Sequence, residues 1–551
     1  MDNRVLIWMA VAMIWLLVYQ AWQRDFGPQR APVVAEAPAT NSLPTIEQAT
    51  APPTLDSALP APQIESSTSV GPSLTEQPDT ATQKITVVTD VYELEIDTTG
   101  GTLRNVRLLG YPKQKDRPDD LVVLLQPQVT ALQTGLLASQ GLEAPSHDSV
   151  FTTASNRYEL GANDDTLEVT LNWQGTGVNV DKTYVFKRGR YNIGLQHRVT
   201  NTSDANWSGA QYTQLKGNAG GAKRSIVDVD SYSFVGTALY DGESFERYDL
   251  GDLLKKPLGY DAENGWIANL QHHFLSAAIP PPGETIKYSS RTPNDNTMLI
   301  SGVAPLRTVA PGSSLDFAQQ LFVGPKIQEQ LEETAENLTL SVDYALTIIA
   351  APMFWLLNTI FKFVGNWGLA IILLTVLIKI VFYPLAEKAG RSTAKMRTVA
   401  PRLKQIQERY KDDKQAQSKA MMELYKKEQI NPAAGCLPLL IQMPVFLALY
   451  WVLIESVELR QAPFFGWIQD LSSRDPLYIL PLIMAVAMYV QTKLNPAPPD
   501  PTMARVMTFM PIIMSVFFMF FPAGLVLYWV VNTVLSVIQQ WRINKVVEAN
   551  S

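Results

Sequence analysis

Residues 369–385 read LAIILLTVLIKIVFYPL, and this stretch decides the fold. It is apolar apart from Thr375, Lys379 and Tyr383. Four more stretches downstream, 437–457, 476–494, 505–521 and 523–541, share that texture. Each approaches the roughly 20 residues a helix needs to cross a bilayer, and the prolines within some of them are better tolerated in membrane helices than in soluble ones. Extended back to 366, the deciding stretch makes five candidate spans in the second half of the chain. The predicted class is therefore an α-helical polytopic membrane protein.

The first part of the chain is built differently. Residues 1–340 carry 25 Lys/Arg and 39 Asp/Glu, a net of −14, whereas residues 341–551 carry 20 and 13, a net of +7. That acidity argues against nucleic-acid binding there, because phosphate contacts need clustered Lys/Arg, and no nucleic-acid recognition is expected. Residues 5–19, VLIWMAVAMIWLLVY, lie between Arg4 and Arg24. The nearest small-x-small patterns come only at Ala35–Ala39, too late for a cleavage site. Residues 1–23 are therefore read as an uncleaved membrane anchor rather than a signal peptide. Residues 24–83 hold ten prolines among Ala, Thr, Ser and Gln, a composition that cannot offset its ordering entropy, and read as a flexible linker.

From 84 to 340 short β-rich runs alternate with Gly, Pro, Asn and Asp. Candidate strands are 85–96, 167–173, 183–186, 191–200, 266–270, 297–300 and 315–323, and the predicted architecture is a β-sandwich. The single cysteine, Cys436, allows no internal disulfide and, with four histidines all before residue 274, no zinc site of the usual kind. No cofactor or metal is expected.

Residues 386–436 contain 12 Lys/Arg against 6 Asp/Glu, which places them in the cytoplasm by the positive-inside rule. With the anchor running outward and the β domain outside, one crossing must separate that domain from the basic loop. Residues 344–364 are therefore read as an interfacial helix, leaving six spans with both termini cytoplasmic. Inside the basic loop, Met396, Val399, Leu403, Ile406 and Tyr410 recur at helical spacing. Lys411–Lys414 is a turn candidate, Asn431-Pro432 a stop, and Pro401 a break in the first arm. The loop is predicted to be a helical hairpin.

Lys379 is the residue singled out for chemistry. A charge at the centre of a span costs about 2.5–3.5 kcal/mol on insertion scales. Two readings stay open: its stem snorkels to the nearby interface, or it lines a water-filled recess. Thr375, one turn away, and Gln442 are candidate polar lining, with Asn532 and Gln539 on the last span. Glu455 and Glu458 fall at the outer end of their helix and offer no obvious partner. No G-x-S-x-G elbow, H-E-x-x-H or phosphate-binding loop is present, so an enzyme is not expected. The His272-His273 pair reads as structural. A solute or lipid transporter with Lys379 at its substrate site is the alternative, though no internal repeat supports it.

The second half also carries a resemblance. GCLPLLIQMPVFLALY (435–450), SVELRQAPF (456–464), DPLYILPLIM (475–484), MTFMPIIMSVFF (507–518) and FPAGLVLYWVVN (521–532) closely resemble the YidC/Oxa/Alb family of membrane protein insertases. The anchor, linker and β domain are similar to the Gram-negative form, whose periplasmic domain is a β-supersandwich. The resemblance implies an insertase and chaperone of the bacterial inner membrane, acting alone or with the Sec translocon and its accessory subunits. In it, five of the six spans (core 341–551) enclose a hydrophilic groove open to the cytosol and to lipid. The groove charge falls on Lys379, where relatives often have Arg. The substrate-contact slide falls on Leu440, Phe446, Leu449, Ile513, Phe517 and Trp529, the last at a position often Tyr. The hairpin, including Asp412, is implied to receive substrates. Implied partners are nascent membrane proteins, the signal recognition particle and its receptor or the ribosome, and membrane lipids.

Overall fold

The protein is described from a computed structural model covering residues 83–126, 129–218, 233–294, 297–344, 346–411, 413–428, 430, 437–495 and 501–549. The anchor 1–23, nearly all of the linker 24–83, and Asp412 lie outside the described residues.

Among the described residues three sheets form the β domain. A five-stranded sheet runs in the order Arg117–Leu124, Thr102–Gln114, Tyr92–Asp97, Lys84–Val88, Arg157–Glu159. A nine-stranded sheet runs Phe245–Tyr248, Gly236–Tyr240, Trp266–Leu270, Phe274–Ile279, Ser314–Pro325, Asn192–Asn201, Val178–Lys187, Thr166–Gly175, Thr152–Thr153. A six-stranded sheet runs Gly259–Glu263, Thr285–Asn294, Thr297–Val303, Trp207–Asn218, Arg307–Val309, with Ala131–Ala138 also paired to Trp207–Asn218. The strand Val178–Lys187 alternates buried and half-buried residues along its length, the period of two that places one face on the core. Trp266–Leu270 and Phe274–Ile279 are buried at every position, because both of their faces are covered.

The expected run 85–96 is two strands rather than one. Thr89 breaks it: its Oγ1 accepts from the amides of Val91 and Tyr92 at 3.2 and 3.0 Å, a local turn that competes with the ladder. A turn follows at Thr98–Gly101. Gly100 has φ +70°, and a Cβ there would lie 2.1 Å from the His147 carbonyl oxygen, so only glycine fits.

Among the described residues eleven helices are numbered in chain order: α1 Leu250–Lys255, α2 Gln328–Thr334, α3 Thr347–Val364, α4 Trp367–Val381, α5 Tyr383–Thr398, α6 Ala400–Arg409, α7 Lys414–Lys427, α8 Leu437–Glu455, α9 Ile479–Leu494, α10 Pro501–Phe518 and α11 Ala523–Ala549. The expected span 366–385 ends early. The chain bends by 69° between α4 and α5, around Phe382. α5 and α6 are then divided at Val399, with Pro384 and Pro401 each in a first turn, where proline's missing N–H costs nothing. Val399, Leu403 and Ile430 are buried together against Met396, Met421, Leu424 and Tyr425 of α5 and α7, so most of the expected stripe is an internal seam.

By length and composition, two of the described helices are long and apolar enough to cross a membrane, α3 and α11, or three if α4 and α5 count as one bent span. Gln442–Glu455, Ile479–Leu494 and Arg505–Phe518 are apolar and shorter. α3, expected at the membrane surface, thus has the length of a span. It buries Ala350, Met353, Phe354 and Leu357 and exposes Ile348, Trp355 and Phe363. One continuous apolar core runs from the sandwich through Leu331, Leu338, Val342 and Tyr344 into α3, α4, α8 and α11.

Candidate functional site

α4 starts at Asn366, whose Oδ1 accepts from the Leu369 amide at 3.0 Å, an N-cap that meets one of the unpaired amides of the first turn. From there the helix runs to Lys379 in its last turn. The Lys379 side chain crosses to α11, where Nζ donates to Ser536 Oγ at 2.7 Å. Ser536 in turn donates to the Asn532 carbonyl of its own helix at 2.8 Å. The ammonium therefore meets a neutral hydroxyl, and no carboxylate pairs with it among the described residues.

Two buried amide nitrogens, Gln442 Nε2 and Gln539 Nε2, have no hydrogen-bond partner among the described residues. Gln539 is one turn beyond Ser536 on the same side of α11. Gln442 is one turn from Phe446 on α8. A buried donor left unpaired costs about 1–3 kcal/mol. Unpaired amide donors of this kind suit a carboxylate or a peptide carbonyl as partner.

Thr375 is not brought into this set. It is buried, and its hydroxyl donates to the Ile371 carbonyl at 2.7 Å, so its proton is used within its own helix. Ser536 escaped the sequence reading. Its signal was the polar row Asn532, Ser536, Gln539 at four- and three-residue steps in an otherwise apolar helix.

About 10 Å further along α11, two helical turns from Ser536, begins an aromatic face. The Trp529 ring lies 4.9 Å from Phe446 at 87° and 5.1 Å from Phe518. Phe517 lies 4.8 Å from Phe521. These separations are those of favourable edge-on and tilted aromatic pairs. Phe517 and Ile513 of α10 are more than half exposed, at 52% and 60%, while Phe446 and Trp529 are partly buried behind them. Leu449 departs from the expectation. It is fully buried, so it supports the face without lining it. Leu440 lies on α8, its side chain outside the described residues. Phe518, 2% exposed, is the packing centre that sequence reasoning missed.

Among the described residues no group of three or more His, Cys, Asp or Glu could hold a metal ion. His272 and His273 sit where the β domain meets the end of α8, with His272 Nε2 3.0 Å from the Ile454 carbonyl.

Comparison with known proteins adds the following. The family model described as "60Kd inner membrane protein" matches residues 359–550, and that described as "YidC periplasmic domain" matches residues 84–356. A protein of Thioalkalivibrio sulfidiphilus named "Membrane protein insertase YidC" is 44% identical over 564 residues, covering 100% of this chain and 99% of the relative. One of the same name from Methylobacillus flagellatus is 42% identical, covering 99% and 97%. The solved structure "Active YidC insertase crystal structure with the first transmembrane domain resolved" aligns with 83% of this chain and 92% of its own, at 20% identity and a TM-score of 0.39.

Proposed function

The chain belongs to the YidC family of membrane protein insertases, and from that premise we propose how this insertase works. It is an inner-membrane protein with a periplasmic β domain. In our reading six spans (1–23, 366–385, 437–457, 476–494, 505–521 and 523–541) put both termini and the 386–436 hairpin in the cytoplasm, with α3 along the outer interface. The last five spans form the core.

The lining built by Lys379, Ser536, Gln442 and Gln539 is a wet recess in the cytoplasmic half of that core. Carrying a polar tail through about 30 Å of hydrocarbon is prohibitive. A recess shortens the dry part of the path. α4, of 15 residues, and α9, of 16, reach about 22–24 Å at 1.5 Å per residue, short of that thickness, and favour a locally thinned bilayer. Lys379 draws an acidic tail inward, and the ammonium exchanges Ser536 for the carboxylate. Outward release of that tail is helped by the membrane potential, about 2.3 kcal/mol per charge per 100 mV. The apolar segment of the substrate moves along Phe446, Ile513, Phe517 and Trp529 into lipid, and its partitioning is the main driving force. No nucleotide is consumed. The hairpin receives substrates from the signal recognition particle and its receptor or the ribosome, and the Sec translocon works beside the core on larger clients.

The observation that supports this reading most directly is the Lys379 ammonium held inside the helical core by a neutral hydroxyl. Photocrosslinkers at positions 379, 446 and 517 test it against a stalled nascent membrane protein. Adducts at all three are expected, with 379 favouring the polar tail and 517 the apolar segment. Absence of adducts at 379 while 517 reacts refutes the recess.

A further inference from the structure

The joint between the β domain and the end of α8 holds ionisable groups that the insertion mechanism does not use. Glu455 ends α8 and is 1% exposed, and Glu458 follows in a short 3-10 turn. Ser233 donates to Glu455 Oε1 at 2.7 Å. The Gln328 amide of α2 donates to Glu458 Oε1 at 3.0 Å. Gln328 Nε2 donates to Tyr344 OH at 2.5 Å, and Tyr344 OH lies 2.7 Å from Ser456 Oγ. The connector 328–344 and the turn 456–458 are thus closed into a ring of hydrogen bonds.

The loop that follows spreads over the same end of the core. It buries Leu459, Ala462, Ile468 and Leu471. Its Leu471 and Ser473 carbonyls accept from Gly524 and Ala523 at the start of α11, at 2.9 and 2.7 Å. Phe464 covers the start of α4, and its carbonyl accepts from Asn366 Nδ2 at 3.3 Å. A Cβ on Gly368 would lie 2.0 Å from the Phe464 ring. Asp475 accepts from Trp467 Nε1 at 3.0 Å and from the Leu480 amide at 2.7 Å, opening α9. On the β-domain side, Arg460 donates to the Pro112 and Lys113 carbonyls at 2.9 and 3.0 Å, and Lys115 reaches the carbonyls of Gln461 and Gln469.

We propose that the Gln328 N–H to Glu458 carboxyl bond is a positioning contact: it seats the turn 456–458 on the β-domain connector, and so holds loop 460–478 across the periplasmic end of the core and keeps that end shut. Among the described residues no cation forms a salt bridge with Glu458 in this seat. Burial lifts its carboxyl to about 7, only partly opposed by the Gln328 amide, and its Oε2 has no partner among the described residues. Lys326, His272, His273, Arg247, Asp343 and Arg460 stand around the joint. An apolar side chain would fill the site at lower cost, but it could not fix the turn to one backbone amide. A hydrogen bond sets direction where packing sets only proximity.

The closure half of the proposal rests on the recess reading above, so two readouts separate them. All variants are made in the full chain with Cys436→Ser. Gln328 is the first residue of α2, and Ile327 before it is extended, with ψ 113°, so proline is tolerated there. Gln328→Pro removes the donor, and Gln328→Ala keeps it while removing the side chain. Glu458→Ala removes the acceptor, and Glu458→Gln keeps it. Hydrogen–deuterium exchange of amides 459–478 is expected to speed by about tenfold in Gln328→Pro and Glu458→Ala, the scale of one lost buried hydrogen bond, and to stay at the parent rate in Gln328→Ala and Glu458→Gln. Equal exchange in the proline and alanine variants overturns the proposal. The second readout is labelling of Gln442→Cys by a membrane-impermeant maleimide added from the periplasmic side, expected to quicken in the same two variants alone. Faster exchange with unchanged labelling overturns the closure. Failure of the cytosolic-side reagent to label position 442 in the parent refutes the recess instead, and exchange then decides the seat.

Discussion

Inverting the groove charge tests the mechanism most sharply. Lys379→Glu replaces an ammonium that now donates to Ser536 at 2.7 Å with a carboxylate at the same depth. A carboxylate brought to about 4 Å from that ammonium gains about 1 kcal/mol in water and about 4 kcal/mol at an effective dielectric of about 20. Lys379 is only partly buried, so the lower half of that range applies, corresponding to roughly tenfold in rate at 1.4 kcal/mol per decade. The assay is insertion into proteoliposomes of two single-span substrates that differ only in an acidic or neutral tail. The ratio of initial rates, acidic over neutral, cancels variant effects on folding and abundance. That ratio is expected to fall by about tenfold or more in Lys379→Glu, to fall partway in Lys379→Gln, and to hold in Lys379→Arg. An unchanged ratio in the Glu variant would show that the charge does not act on the tail.

Other outcomes follow from the same structure. Lys182 is fully buried in the sandwich, its Nζ donating to the Gly100 carbonyl at 2.7 Å, and burial brings its ammonium down to about 7. The unfolded chain, titrating near 10.4, binds more protons between those values. Domain stability should therefore rise with pH from about 7 by at most about 1.4 kcal/mol per unit, and Lys182→Met should abolish that slope in thermal unfolding at pH 7 and pH 9. Gly368→Ala forces a Cβ onto the Phe464 ring and should cost about 1–3 kcal/mol by overpacking, read as a lowered unfolding midpoint of the purified protein. Removing residues 395–428 should leave the chain in the membrane and abolish delivery of substrates, measured by crosslinking of a targeted nascent chain to position 446.

Patterns with a short period were legible without coordinates. The apolar runs, the acidic first half, the basic loop and most of the strands quoted at the outset are local properties: each is set by one residue type recurring at a fixed step. The single cation in 369–385 was visible for the same reason. What the folded chain added was the company each residue keeps. Lys379 meets Ser536 across 157 positions of sequence, a distance no periodicity encodes. Thr375 and Leu449 occupy the right helices but face inward, because a three- or four-residue step leaves an angular error that only packing resolves. The run 85–96 became two strands because one hydroxyl caught two amides. Glu458 was legible only as a charge at the outer end of its helix; its half-buried seat came from the Gln328 amide, 130 residues away. Burial and partnership are properties of the surface two segments share, and that surface exists only after the chain has folded.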